Sequence, residues 1–203
     1  MNIIDKVTIF MKEYMKNHDG SHDFEHINRV LFNSKLIAAS IYYNDPMVEL
    51  LALLHDYEDD KYKRDDSHSS FQLLKTFLID ECKLELDKVE QLIQWIPLIS
   101  YSKNMKHITK DNNAILPKVD IPVQIVSDAD KLDALGAIGI ARCFTYIGHI
   151  NQSLQSGINH FDDKLFKLQY CMYTDTGKKL AITRTEYMSD FVKLCNIYKP
   201  NSL

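Results

Sequence analysis

The chain has 203 residues, 45% of them apolar and 26% charged, enough to bury a substantial core in one compact domain spanning 1–203. Its 24 Lys and Arg against 28 Asp and Glu give a formal charge of -4, with no basic run or aromatic-interleaved basic stripe; bulk nucleic acid is disfavoured, while a few local cations could hold the phosphates of a small anion. The four cysteines lie far apart without a C-x-x-C pair, which argues against a thiolate zinc site or a disulfide framework, and no run of about 18 apolar residues offers a membrane span. A soluble, intracellular (cytoplasmic) protein is expected.

Only six Gly and five Pro punctuate the chain, and apolar positions recur mostly at three and four, so the expected fold class is all-α, a compact helical bundle. Residues 2–16 predict a first amphipathic helix. Ser21 suits the N-cap of a long second helix running to about residue 43. Asp45 as N-cap and Pro46 at the first helical position open a third helix, "PMVELLALLHD", whose near-continuous apolar run marks it as central to the core. Ser67 can cap "HSSFQLLKTFLIDE", and Asp87 with Glu90 forms a capping-box-like start for "KVEQLIQWIPLI". The weakly periodic stretch 101–120 reads as a long loop or lid. Helices resume near residue 121, continue through "DKLDALGAIGIARCFTYIG", and return at about 160–172 and 177–198.

Three clusters carry chemistry. In "HDGSHDFEHINRV", His18, His22 and His26 fall four apart, one face of a helix if it extends that far back, although Gly20 makes this doubtful for His18. In "LLALLHDYEDDKY", His55 and Asp56 end an intensely apolar helix, and Glu58, Asp59, Asp60 and Lys61 follow at once. A buried helix end should not gather ionisable groups without partners, because desolvating unpaired charge is costly. A bound cation resolves this; a helix that surfaces at residue 55 with a solvated acidic run is the alternative. In "SDADKLDALGAIGIAR", Asp128, Asp130 and Asp133 stand just ahead of an apolar helix, where any one could be its N-cap, and Gly136 and Gly139 permit close approach of a neighbour. His26, His55, Asp56 and Asp130 are selected as a set that can converge on one divalent ion with nitrogen and oxygen ligands.

The order H…HD…D, with "SHDFEHINRV", "LLHDYEDDKY" and "SDADKLDALGAIGIAR", resembles the HD-domain metal-dependent phosphohydrolases, in particular the small branch containing nucleoside triphosphate pyrophosphohydrolases. The likeness runs from about residue 18 to about 190, since "HFDDKLFKLQYCMYTDTGKKLAITRTEYM" also resembles that branch's C-terminal helices. It implies His26 as first metal ligand, His55 and Asp56 as the eponymous pair, and Asp130 as last ligand. His22 would face phosphate or stand behind the ligands, and Asp59 and Lys61 match polar positions after the pair, with Glu58 beside them. Tyr101 and Ser102 resemble a segment near the site.

These readings imply one divalent cation, Mn²⁺ favoured with Fe²⁺, Co²⁺, Ni²⁺ or Mg²⁺ as alternatives, and in-line attack of water on phosphorus with Asp59, helped by Glu58, as catalytic base. Lys61, Lys131, Arg142, Lys178 and Arg184 are candidate phosphate partners, any of which could instead be a surface charge. The resemblance alone implies the substrate, a nucleotide, as a (d)NTP cut to the monophosphate and pyrophosphate, with another phosphorylated small molecule as alternative; no membrane partner is expected and a homodimer stays open. Competing readings are a phosphomonoesterase or phosphodiesterase of the same fold, including a two-metal form using His68 and His107, a non-catalytic nucleotide sensor, and an all-helical interaction protein. One geometric demand follows. In a simple antiparallel hairpin His26 would lie about 12 Å beyond the level of His55, so the second and third helices must cross or bend.

Overall fold

The computed structural model describes residues 1–16, 24–57, 67–99 and 116–197. Among them are nine α-helices and no strand: α1 (Ile3–Tyr14), α2 (Phe24–Ser40), α3 (Pro46–Leu54), α4 (Ser67–Thr76, followed by a π-turn over Phe77–Glu81), α5 (Leu86–Ile99), α6 (Ile121–Asp133), α7 (Gly136–His149), α8 (Leu154–Asp163) and α9 (Asp175–Ile197). A 3₁₀ segment, Leu165–Cys171, joins the last two. No helix of the described residues is long and apolar enough to cross a membrane.

Local chemistry explains most boundaries. Asn2 and Asp5 close a capping box on α1, Asp5 N donating to Asn2 Oδ1 at 2.9 Å and Asn2 N to Asp5 Oδ2 at 3.3 Å. Asp45 caps α3 through Met47 N at 2.9 Å, with Pro46 at its first position as expected. The second helix stops at Ser40, three residues short of the expected end, because Tyr42 turns left-handed with φ 54°. Tyr42 N then donates to Ala39 O and Tyr43 N to Ala38 O, a Schellman closure without the glycine that usually signals it. The expected start at Ser21 lies outside the described residues.

Other expectations shift. The fifth helix begins at Leu86, so Asp87 lies in its first turn instead of capping it. The helix expected from about 160 begins at Leu154, capped by Ser153 Oγ accepting from Ser156 N at 3.2 Å, and the residues from 165 to 171 are 3₁₀, not α-helical. Asp128, Asp130 and Asp133 stand ahead of the apolar α7 as expected but cap no helix: they sit inside the C-terminal half of α6, and the N-cap of α7 is Leu135, without a side-chain bond. Of residues 101–120, only 116–120 are described, without regular structure.

The apolar face of α3 is nearly all-round, with Leu50 to Leu54 buried, and α6 is buried on almost every side. Packing of α2 against α6 is the most extensive contact, with α3 against both. Helix α9 lies across α6 and α7, and with α8 and the 3₁₀ segment it completes one continuous core that reaches from Val7 to Val192. The two most buried helices are thus the two that end in the acidic motifs. Their apolar packing fixes where those ionisable groups must sit.

Candidate metal centre

His26 lies in the first turn of α2, His55 at the C-cap of α3 with Asp56 next, and Asp130 on the last turn of α6. The packing of these three helices brings the four side chains together. His26 Nε2 stands 3.2 Å from His55 Nε2, 3.4 Å from Asp56 Oδ2 and 3.4 Å from Asp130 Oδ1. His55 Nε2 is 3.4 Å from Asp56 Oδ1 and 3.9 Å from Asp130 Oδ1. The 12 Å offset of a simple hairpin is therefore closed. Both imidazoles are buried, whereas the Asp56 and Asp130 side chains keep 17% and 24% exposure, so the cluster opens on its carboxylate side.

The second nitrogen of each ring is committed elsewhere. His55 Nδ1 is 2.8 Å from Ala52 O, and a carbonyl can only accept, so the proton sits on Nδ1 and the Nε2 lone pair faces the cluster. His26 Nδ1 is 2.7 Å from Asp133 Oδ2, a carboxylate that likewise favours the Nδ1–H tautomer. Two imidazole lone pairs then confront each other across 3.2 Å, beside Asp56 Oδ2, a buried oxygen with no hydrogen-bond partner. Such an arrangement is repulsive unless a cation lies between. Ligands about 2.1 Å from an ion stand about 3.0–3.4 Å apart in octahedral or tetrahedral arrangement. His26, His55 and Asp56 form a compact group within that spacing, and Asp130 meets it toward His26 but stands wider, at 3.9 Å, from His55, so the donor set fits a divalent metal.

A proton is the cation's competitor. Burial alone would lower the His26 pKa, but hydrogen bonding to Asp130 and Asp133 and the charge of Asp56 raise it from 6.5 to about 9. Burial likewise pushes Asp130 upward, yet His26 and His55 override it and hold the carboxyl below the usual carboxylate range.

Sequence reasoning passed over the group behind His26. Asp133 Oδ2 takes His26 Nδ1, Arg142 Nη1 at 2.8 Å and Arg29 Nη2 at 3.1 Å, while its Oδ1 takes Arg29 Nε at 2.7 Å. Hydrogen bonds to His26 and Arg29 keep it ionised against its burial. The signal was available: Arg29 is three residues after His26 and Asp133 three after Asp130, the spacing that places side chains on one helix face.

The expected phosphate partners scatter. Arg142 is paired with Asp133 at the rim of the cluster. Lys131 is buried, and its Nζ turns back along α6 to Ser127 O and Oγ, a structural charge rather than a solvent-facing one. Arg184 spends its fork on Leu132 O and Asn33 Oδ1. Lys178 is exposed beside Asp175, two residues from Thr176, which bonds Ser40 at the opposite end of α2 from His26; 14 residues at 1.5 Å put it about 21 Å along that helix from the cluster. His22, Glu58, Asp59, Lys61, Tyr101, Ser102 and His107 lie outside the described residues.

No protein-family model matches the sequence. Bacillus subtilis YpgQ is 29% identical over 196 residues, covering 93% of this chain and 90% of YpgQ. Its crystal structure in complex with ADP superposes with a TM-score of 0.79 at 27% identity, over 98% of this chain and all of that one. The Listeria innocua Lin1889 protein is 30% identical, with a TM-score of 0.71 over 97% and 96% of the two chains. A Bacillus thuringiensis HD-superfamily hydrolase gives 0.72 at 28% identity over 96% and 95%. With this likeness over nearly its whole length, the chain belongs to the HD superfamily of hydrolases, in the branch that includes YpgQ.

Proposed function

We propose that the chain is a metal-dependent phosphohydrolase acting on a nucleotide, cutting a nucleoside or deoxynucleoside triphosphate to the monophosphate and pyrophosphate. The observation that carries the metal dependence is the pair of His26 and His55 Nε2 atoms 3.2 Å apart, each ring's Nδ1 being committed to another acceptor. The ADP complex of YpgQ supports a nucleotide as the ligand class. A mixed nitrogen and oxygen set suits Mn²⁺, with Fe²⁺, Co²⁺, Ni²⁺ and Mg²⁺ as competitors.

His26, His55, Asp56 and Asp130 would hold the ion, which would supply an acidified water and positive charge opposite a phosphoryl oxygen. The two carboxylates already cancel the charge of a divalent ion, so phosphate needs further cations. Arg142 and Arg29 best fit that need, since both border Asp133 and their side chains retain 17% and 32% exposure. The exposed side of Asp56 and Asp130 gives the phosphate its approach. Asp59, with Glu58, receives the proton of the attacking water, while the bond from the α-phosphorus to the bridging oxygen breaks and pyrophosphate leaves. Asp133 keeps the His26 ring in the orientation that presents Nε2.

Incubating the Mn²⁺-loaded protein with a panel of nucleotides, and separating phosphate from pyrophosphate, tests this. Pyrophosphate with stoichiometric monophosphate is expected. Inorganic phosphate alone from every active substrate overturns the cut, and nucleotide binding without turnover across the metals named above overturns the catalytic reading.

A further inference from the structure

We propose that Arg184, on the C-terminal helix, is a positioning residue for the metal centre: it contacts none of the four ligands, yet it fixes the end of α6 that carries Asp130 and Asp133. The proposal rests on the metal-binding reading above. Its guanidinium is spent inward, Nη1 donating to Leu132 O at 2.6 Å and Nη2 to Asn33 Oδ1 at 3.3 Å. Asn33 in turn donates from Nδ2 to Ala129 O at 3.5 Å. One fork therefore spans three helices: α9 that bears it, α6 that bears Asp130, and α2 that bears His26.

The last carbonyls of an α-helix lack their regular donors four residues on, and helix ends fray. Leu132 O is met by Leu135 N at 3.2 Å in the closing turn, and Arg184 supplies the second donor that ties this turn to α9. Leu132 lies between Asp130 and the end of α6 at Asp133, so the residue held by Arg184 is next to Asp133 and two from Asp130. A cation at a helix C-terminus also opposes the dipole there, and a planar guanidinium loses less freedom per bond than an ammonium would. The turn that follows is shaped to the same side chain. Gly136 has φ +75°, and a β-carbon on it would stand 3.3 Å from Arg184 Cγ and 3.4 Å from its Cβ. The arginine stem thus lies flat on the link between α6 and α7.

Helix α9 itself is anchored about one turn further back on α6. Asp128 accepts from Tyr173 N at 2.8 Å, Thr174 N at 2.7 Å and Thr174 Oγ1 at 2.7 Å, and Thr174 Oγ1 accepts from Gly177 N at 2.9 Å. Helix α9 is therefore seated on α6 independently of Arg184. A phosphate contact would need the guanidinium to face the open carboxylate side, and both assigned nitrogens point instead into backbone and amide oxygens.

Arg184→Ala separates the roles. In the metal-free protein, the proton on His26 Nδ1, read by nitrogen-15 NMR, should lose its bonded signature as Asp133 drifts. Mn²⁺ affinity should fall about tenfold, the low end for groups behind a ligand. Guanidinium ion below denaturing concentration should restore both, leaving wild type unchanged. The Michaelis constant for nucleotide at saturating metal should stay within about twofold. An unaltered His26 signal with unaltered Mn²⁺ affinity overturns the proposal, as does a raised Michaelis constant at unchanged metal affinity, the mark of a phosphate contact. If Arg184→Ala does not fold, Arg184→Lys is read the same way and should show a partial loss of the His26 signature. Should wild type bind no metal, the metal-centre reading fails, and the metal-free NMR comparison still decides the role of Arg184.

Discussion

Asp128 and Asp130 sit two residues apart on one helix, on nearly opposite faces, and both enter the protein interior. Their surroundings drive them in opposite directions. Asp128 is fully buried, and its burial pushes the pKa up against the pull of Lys131 and of donors from Tyr173 and Thr174. Asp130 meets two imidazoles and is held low despite its burial. The first is saturated by peptide and hydroxyl donors from the start of α9. The second faces two ring nitrogens, which offer it a hydrogen only while a proton, and not a metal ion, occupies the cluster. A buried acid is thus no signature of a metal site by itself; what decides is whether its neighbours can supply hydrogens.

The sharpest test exchanges the two. Asp130→Ala or Asp56→Ala should abolish Mn²⁺ binding in calorimetry and collapse turnover, while the metal-free protein loses only one of the partners that keep His26 charged. His68→Ala should leave both binding and turnover nearly intact. Asp128→Ala should do the reverse of Asp130→Ala. It removes the carboxylate opposite buried Lys131 and leaves two peptide donors unmet in the interior, a loss of about 3–5 kcal/mol, visible in urea unfolding, while the folded protein still binds Mn²⁺ within about threefold. Equal effects of the two substitutions on metal binding would erase the distinction between the faces.

Protonation gives the next largest effect. With His26 raised to about 9, its charged form stabilises the metal-free fold fully below the unfolded value near 6.5, and that stabilisation disappears as pH rises through about 9. The metal-free protein should therefore unfold more easily at pH 9.5 than at pH 6.5, other groups being equal. Metal binding has the opposite slope, since the ion must displace that proton: Mn²⁺ affinity should rise about tenfold per unit between those values and then level. A flat profile would remove His26 from the ligand set. Asp133→Asn tests the same ring from behind. Losing the carboxylate that orients Nδ1 should cost about 10–100-fold in metal affinity, with Asp133→Glu recovering part of it.

Much of this was legible beforehand because helix signals are local. The Asp45–Pro46 start of α3, the apolar run after it and the H…HD…D order announce both the core and the four clustered side chains. The end of α2 was not legible, since a tyrosine, not a glycine, adopts the left-handed turn at residue 42. Nor was the register of the acidic segment. Reading "SDADKLD" as a lead-in to a helix missed that it closes the preceding one, where tertiary partners rather than capping chemistry take each carboxylate. The roles of Lys131 and Arg184 depend on which way a long side chain folds back, and sequence spacing carries no information on that.

Lys178 supplies the smallest effect and a clean end to the comparison. It falls in the motif block that also holds Thr174, and by sequence it was as good a phosphate partner as Arg142. In the fold it lies at the end of α9 that sits beside Ser40, near the anchor on Asp128, whereas Arg142 pairs with Asp133 behind His26, at the opposite end of α2. Its i,i+3 pair with Asp175 is exposed and such pairs are worth about 0–1 kcal/mol. Lys178→Ala should accordingly change neither the Michaelis constant for nucleotide by more than about twofold nor the unfolding midpoint beyond the small loss of a surface pair, whereas Arg142→Ala should raise the Michaelis constant by about tenfold, the loss of one charge-assisted contact. If Lys178→Ala weakens nucleotide binding as much as Arg142→Ala does, the ligand must extend along α2 from the His26 end to the Ser40 end, and the division of α6 into a chemical face and a structural face would have to be redrawn.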